Sequence, residues 1–336
     1  MKRMLTGIRS TGTPHLGNIL SVIIPSIHIA NKSEKYSSFI FIADLHSLIK
    51  LDNRNKIRNN IYKILSTWLA FGLNIDNCLI YRQSDIPEVT ELAWYLSCCF
   101  PYQRLKLSHS FKKEIKHKKK QESKINVGLF SYPILMAADI LLYDAKIIPV
   151  GKDQLQHIEI TRFIANLFNK KIGKNIFVLP QALLQNEAMC VPGIDGNKMS
   201  KSKNNYINIF SSKEILKKQI MHIQTDNKSF QEKKNPDEDC IMSLYKLVSN
   251  KHEINNMKKK YLNGRYGYSD AKIELYHRIN QKFDKEREKF FHFMKNEQLL
   301  DKILFCGAKK VKHIAINKLN IVRKYLNLNS LFYFMS

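Results

Sequence analysis

The sequence predicts an α/β protein in which a doubly wound parallel sheet is followed by an all-helical domain. In the first half, near-continuous apolar strand segments alternate with segments of helical periodicity, which is typical of a parallel sheet covered on both faces. After about residue 205 the strand signals fade, and the remaining segments are amphipathic and basic. We therefore predict a sheet domain over 1–195 and a helical domain over 196–336.

The elements of the sheet domain follow in chain order. Apolar, β-rich runs predict strands at 4–8, 37–47, 78–84 and 146–151. Helical spacing predicts helices between them, at 19–30, 57–73, 131–143 and from 152 onward. The charge run at 104–126 is interpreted as a solvated basic insertion, and the alternative is a contact surface for RNA or for a partner subunit.

Composition limits the class of protein. The chain has 55 Lys and Arg against 29 Asp and Glu, a formal charge of +26. This charge favours a polyanionic partner, nucleic acid first, although the joint abundance of Lys, Asn and Ile also fits an AT-rich genome. We find no secretory signal and no apolar run long enough to span a membrane. Six scattered cysteines form no C-x-x-C pair, so we expect no structural metal, no iron–sulfur cluster and a cytoplasmic location.

The segment TPHLGN, at 13–18, lies where the first strand gives way to the first helix. Ligands of open parallel sheets bind at the carboxyl ends of the strands. Gly17 would let the backbone approach a phosphate, and His15 and Asn18 could donate hydrogen bonds to it. The alternative is an ordinary turn with a histidine at the surface.

Asp139 interrupts an otherwise apolar helical segment, SYPILMAADILLY. A buried carboxylate needs a partner, which could be a neighbouring Lys or Arg or an N–H donor of a bound ligand. Tyr132 and Met136 belong to the same segment, and His46 follows an earlier strand together with Asp44. A pocket of this kind suits an aromatic or amine ligand.

Two later loops carry further candidates. VGKDQLQH, at 150–157, repeats the strand-to-helix turn, with Gly151 allowing close approach and Asp153 as either a ligand contact or a helix cap. KMSKS, at 198–202, offers Lys198 and Lys201 on a mobile loop that could close over a triphosphate. In so basic a chain the pair could also be background.

The order of these motifs is more specific than any one of them. HLGN followed by KMSKS resembles the signature pair of class I aminoacyl-tRNA synthetases. The segments IADLHS, GLFSYPILMAADILLY and IIPVGKDQLQHIEITRF resemble the tryptophanyl-tRNA synthetases, and the likeness extends over essentially the whole chain. It implies a Rossmann-like catalytic domain, an all-helical anticodon-binding domain and a homodimer. Its substrates would be L-tryptophan, ATP with Mg²⁺ and tRNA(Trp), with tryptophanyl-adenylate and pyrophosphate formed before tryptophan passes to the tRNA.

The resemblance also implies roles for individual residues. His15, Lys198 and Lys201 would be catalytic. The tryptophan site would have Asp139 accepting the indole N–H, with Met136, Tyr132, His46 and Gln154 around it. The ATP site would comprise Arg9, Ser10, Thr11, Gly17, Asn18, Gly151, Lys152, Asp153, Val191, Lys198, Met199, Ser200, Lys201 and Ser202. No metal ligand is implied among the protein side chains.

The chain departs from the family pattern at four places, one of them Lys203, which stands where an aromatic residue is common after KMSKS. Arg9-Ser10-Thr11 stands where Gln-Pro-Ser/Thr is common, Lys152 replaces an acidic residue, and Ser110 replaces a glutamine expected near the substrate. These changes could lower turnover. The alternatives to a tryptophan enzyme are a tyrosyl-tRNA synthetase, a small nucleotidyltransferase and a non-catalytic RNA-binding paralogue.

Overall fold

The computed structural model describes most of the chain. The described residues are 2–32, 37–49, 56–108, 111–112, 115, 125–184 and 191–328. Ser110 and most of the basic run at 104–126 lie outside them.

Among the described residues, five parallel strands form one sheet in the order β3-β2-β1-β4-β5. The strands are β1 (Arg3–Arg9), β2 (Ser38–Ala43), β3 (Cys78–Arg82), β4 (Ala145–Val150) and β5 (Gln181–Leu184). This is the doubly wound sheet that the apolar runs predict, with β1 at the point where the strand order reverses. The short edge strand β5 was not predicted.

The sheet opens between β1 and β4. Strand β1 pairs with β2 as far as Arg9 and Ala43. Its register with β4 covers only Arg3 with Ala145 and Met4 with Ile147, with an irregularity between the two pairs. The carboxyl ends of β1 and β4 are therefore not joined to each other, and a crevice at such a reversal point is where open α/β sheets bind ligands.

Helices cover the sheet and follow each predicted helical segment of the first half. The first helix begins as α1 (Leu16–Asn18), passes through one π-helical turn (Ile19–Ile23) and continues as α2 (Ile24–Lys32). The others are α3 (Ile57–Ala70), α4 (Glu88–Ser97), α5 (Tyr102–Lys106), α6 (Val127–Leu141) and α7 (Leu155–Ile172).

The second half is helical, as its amphipathic pattern predicts. Its helices are α8 (Lys213–Met221), α9 (Cys240–Val248), α10 (Lys251–Asn263), α11 (Tyr268–Lys282), α12 (Asp284–Met294) and α13 (Glu297–Tyr325). Among the described residues, no helix combines the length and apolar character needed to cross a membrane.

The long last helix returns to the sheet. Helix α13 packs against β3 and α4, and a methyl group added to Gly307 would overlap the Ile80 carbonyl oxygen. A bidentate pair between Arg323 and Glu91 holds its far end. One apolar cluster also runs from the sheet, at Ile40, into the helical half, at Leu244. The domain boundary at 195 and 196 therefore stays a prediction.

Candidate active site

His15 caps the first helix. Its Nδ1 accepts from the Asn18 backbone N–H at 3.2 Å, and the Asn18 Oδ1 accepts from the His15 N–H at 3.4 Å. Burial, and in second place the nearby Lys201 charge, lower the pKa of His15 to about 4. The ring is therefore neutral at neutral pH, with its proton on Nε2 because Nδ1 is the acceptor. His15 can donate one hydrogen bond, but it is not a cation.

The KMSKS loop lies directly on this turn. The Lys201 Nζ donates to the Thr11 carbonyl oxygen at 3.0 Å, and the Gly17 N–H contacts the Met199 Sδ at 3.2 Å. A Cβ at Gly17 would lie 3.0 Å from two atoms of the His15 ring and 3.3 Å from the Met199 Cβ, so a larger residue would require these neighbours to shift by a few tenths of an ångström. Two motifs 182 residues apart thus form one site.

The two lysines of the motif have different surroundings. Lys201 is half-buried, and burial lowers its pKa to about 8, with a further contribution from the Lys63 charge on α3. Its ammonium group stands beside the Gly12 turn, 3.4 Å from where a Cβ would lie. Lys198 is exposed, and its backbone forms an antiparallel bridge with Pro192.

Asn205 holds the loop together. Its Oδ1 accepts from the Ser200 N–H at 2.7 Å, and its Nδ2 donates to the Asp195 Oδ1 at 2.7 Å and the Lys198 carbonyl at 3.2 Å. The side chain is 3% exposed, and a Cβ at Gly193 would collide with it. Sequence reasoning missed Asn205 because the recognised motif ends at Ser202.

Asp139 lies in a second part of the site and is 2% exposed. The Gln83 Nε2 donates to both of its oxygens, at 2.9 and 2.8 Å, and the His46 Nε2 lies 3.2 Å from Oδ2. Burial raises the pKa of Asp139, while hydrogen bonds from His46 and Gln83 oppose the rise. Among the described residues, the hydrogen-bond partners of Asp139 are therefore the Gln83 amide and the His46 imidazole rather than a Lys or Arg.

Tyr132, Met136 and Asp139 are spaced so that they share one face of α6. Tyr132 and Met136 are half-buried, in contrast to Asp139. The Tyr132 hydroxyl shares a 2.5 Å hydrogen bond with the His157 Nε2, and its ring meets His46 edge-on with 5.8 Å between centroids. These side chains make a partly aromatic wall beside the carboxylate.

The remaining ATP-site candidates lie on the turn after β1, on the KMSKS loop, and at the carboxyl ends of β1 and β4. The Ser10 hydroxyl donates to the Ser47 Oγ at 2.7 Å, and the Val191 carbonyl accepts from the Met199 N–H at 3.1 Å. The Ser200 and Ser202 hydroxyls are 2.9 Å apart. Exposed residues at the carboxyl ends of β1 and β4 are Arg9, Thr11, Gly151 and Lys152.

Two further candidates stand at the start of α7. Gln154 is half-buried and precedes α7 directly. The side chain of Asp153 lies outside the described part of the structure. Within the described residues, no group of three or more His, Cys, Asp or Glu side chains is placed to hold a metal ion.

Comparison with known proteins bears on what this site does. Residues 1–284 match the profile of the family described as tRNA synthetases class I (W and Y). The tryptophan–tRNA ligase of Fusobacterium nucleatum is 42% identical over 98% of both chains, and that of Pseudomonas syringae is 39% identical over 98% of this chain and 74% of its own. The chain belongs to the tryptophanyl-tRNA synthetases.

Solved structures agree with this membership. The tryptophanyl-tRNA synthetase of Campylobacter jejuni, complexed with ADP and tryptophan, is 37% identical and has a TM-score of 0.89 over 97% of this synthetase and 100% of its own chain. A tyrosyl-tRNA synthetase from Archaeoglobus fulgidus is 17% identical with a TM-score of 0.62, so it shares the fold alone.

Proposed function

We propose that this synthetase activates L-tryptophan with ATP and charges tRNA(Trp). The tryptophan carboxylate attacks the α-phosphorus of ATP, which releases pyrophosphate and leaves tryptophanyl-adenylate. The terminal ribose hydroxyl of the tRNA then takes the aminoacyl group and AMP leaves. The observation that carries this proposal is the KMSKS loop seated on the HLGN turn, with the Lys201 ammonium at the Thr11 carbonyl.

Catalysis of the first step would come from positioning and charge. The Lys201 and Lys198 ammonium groups would stabilise the negative charge that develops on pyrophosphate. The His15 Nε2–H and the Asn18 amide would donate to phosphate oxygens, since their other polar atoms are engaged in the cap. No side chain has to form a bond to the substrate.

The rest of the nucleotide would lie toward the carboxyl end of β4. We propose that Gly151, Lys152 and Asp153 face the ribose and adenosine, with Val191 near the adenine. Mg²⁺ would enter as MgATP, held chiefly by phosphate oxygens, as this ion usually is in nucleotide sites. The exposed Arg9 beside the turn would add positive charge near the phosphates.

Tryptophan would lie against the face of α6. Asp139 would accept the indole N–H, while Tyr132, Met136 and His46 contact the ring and Gln154 approaches the amino group. A carboxylate that is buried and aimed at an N–H donor discriminates strongly against ligands that leave it unpaired.

We also propose the assembly that the resemblance implies. The helical half, from 196 onward, would bind the anticodon, and the protein would be a cytoplasmic homodimer. Large apolar side chains stand exposed along α4 to the start of α6, which supports an interface there: Trp94, Tyr102, Leu107 and Val127. Sedimentation at micromolar concentration would report the dimer.

Amino-acid-dependent ATP–pyrophosphate exchange tests the function. We expect exchange with tryptophan among the twenty amino acids, and a Lys201→Ala variant that loses exchange far more than it loses tryptophan affinity. Exchange with tyrosine instead would overturn the substrate, and the absence of exchange with every amino acid would favour the RNA-binding paralogue. Lys203→Ala is the matched control, because Lys203 is an exposed lysine of the same loop outside the motif.

A further inference from the structure

Gln83 is a fully buried residue to which no functional role has yet been assigned. It begins the short 3₁₀ turn Gln83–Asp85, directly after β3, at the carboxyl edge of the sheet. Its amide nitrogen stands almost equally far from the two Asp139 oxygens, at 2.9 and 2.8 Å. Its own Oε1 is buried, with no hydrogen-bond partner among the described residues.

An unpaired buried amide oxygen is costly, and an apolar side chain would fill the same space without that cost. The donor end of Gln83 therefore has a purpose other than packing. A Lys or Arg in its place would close the carboxylate into an ion pair. A neutral amide instead fixes the position of both oxygens and leaves the negative charge in place for a further donor.

Asp44 holds the two backbone segments that carry Gln83 and His46, the hydrogen-bond donors to Asp139. Its Oδ1 accepts from the Ser84 N–H and from the Leu45 N–H, each at 3.0 Å. Ser84 follows Gln83, and Leu45 precedes His46. One buried carboxylate at the end of β2 thus holds the two segments that present hydrogen-bond donors to Asp139.

We propose that Gln83 is a positioning residue for specificity: it holds Asp139 as an oriented acceptor for a ring N–H of the amino-acid substrate. The inference rests on the proposed role of Asp139 in binding the indole. Gln83 itself need not touch the substrate, and its effect passes through Asp139.

The test uses tryptophan and its benzothienyl analogue, in which sulfur replaces the indole N–H, in pyrophosphate exchange. The variant Gln83→Met keeps the size of the side chain and removes the donor. We expect its KM for tryptophan to rise about tenfold or more with a smaller change in kcat, as for loss of a hydrogen bond to a charged group. The preference for tryptophan over the analogue should fall toward the value found for Asp139→Asn. In the double variant, Gln83→Met should lower this preference little further than Asp139→Asn does alone.

The variant Gln83→Glu gives a second readout that simple destabilisation would not produce. Two adjacent buried carboxyls share a proton more readily as the pH falls, and the introduced carboxyl, once protonated, could again donate to Asp139. We expect the KM of this variant for tryptophan to improve as the pH falls, opposite to the native protein, whose Asp139 becomes protonated. This variant keeps the proposal testable if Gln83→Met does not fold.

Asn169→Leu is the matched control. Asn169 is also a buried amide, bonded to the Phe177 backbone N–H and carbonyl at 2.9 Å, but it lies near the far end of α7. The Asn169→Leu variant should be less stable than the native protein and should keep its preference for tryptophan. If Gln83→Met behaves in the same way while Asp139→Asn loses the preference, Gln83 only packs and the inference is overturned. If Asp139→Asn keeps the preference, the proposed indole acceptor fails first and this inference with it.

Discussion

The ammonium group of Lys201 combines a fixed position with an altered charge equilibrium. It donates to the Thr11 carbonyl, and burial lowers its pKa to about 8. A depressed lysine pKa means that the free protein loses this charge as the pH rises through about 8. Bound phosphate favours the protonated form and would raise the pKa again.

This predicts the alkaline behaviour of adenylate formation. The kcat/KM for ATP, which reports the free protein, should fall as the pH rises above about 8, whereas kcat should hold to higher pH. Lys201→Arg is the control, because a guanidinium stays protonated throughout this range. Its kcat/KM should be lower overall but without the alkaline fall; a fall that persists would assign the titration to another group.

At the scale of single residues, the motif residues could be predicted from the sequence, but the residues that hold the site residues in place could not. HLGN and KMSKS place His15 and Lys201 on one site because the residue types and their order along the chain carry that information. Gln83 reaches Asp139 across 56 residues, and that contact depends on which strand lies beside which helix. For the same reason, the sequence leaves open whether a Lys or Arg or another donor pairs with Asp139.

At the scale of elements, α13 packs directly against strand β3 of the sheet. Gly307 brings the helix against the backbone of β3 at Ile80, and the helix continues to the Arg323–Glu91 pair. Strand β3 is an edge of the sheet, and a packed helix protects such an edge from pairing with other chains.

Gly307→Ala should therefore destabilise the fold. The added methyl group has no room at the Ile80 carbonyl, so helix and strand must move apart, and we expect a loss of about 1–3 kcal/mol or more in the free energy of unfolding. Urea unfolding measures it. Gly128→Ala is the matched control on α6, since its Cβ would make only ordinary contacts and a change within about 1 kcal/mol is expected. Equal losses in the two variants would contradict the packing argument.

Element prediction succeeded where burial is strong. Strand β2 is buried at every position, and its apolar run predicts it directly. Strand β5 has four residues, three of them exposed, so neither apolar continuity nor alternation marks it in the sequence. Its pairing with β4 comes from the topology of the whole sheet.

For the whole molecule, the open question from the sequence is whether the charge of +26 serves a partner or reflects composition. The site itself uses few of these charges. Many others stand exposed on the helical half, for example Lys217 on α8, Lys259 on α10 and Lys309 on α13. Charges spread over this surface would act on a large polyanion rather than on one nucleotide.

Salt dependence separates the two explanations. If the basic helical surface binds tRNA, the logarithm of the association constant should fall linearly with the logarithm of salt concentration, with a slope near −0.7 to −0.9 per phosphate neutralised. Tryptophan-dependent pyrophosphate exchange, which needs no tRNA, should change far less over the same range. Filter binding or fluorescence titration from 50 to 200 mM salt, roughly the range where such effects are large, would measure the slope.

Replacing exposed lysines of α10 by glutamine should make the slope shallower and leave exchange intact. An unchanged slope would mean that those lysines are compositional background, and that the tRNA is held by other parts of the surface.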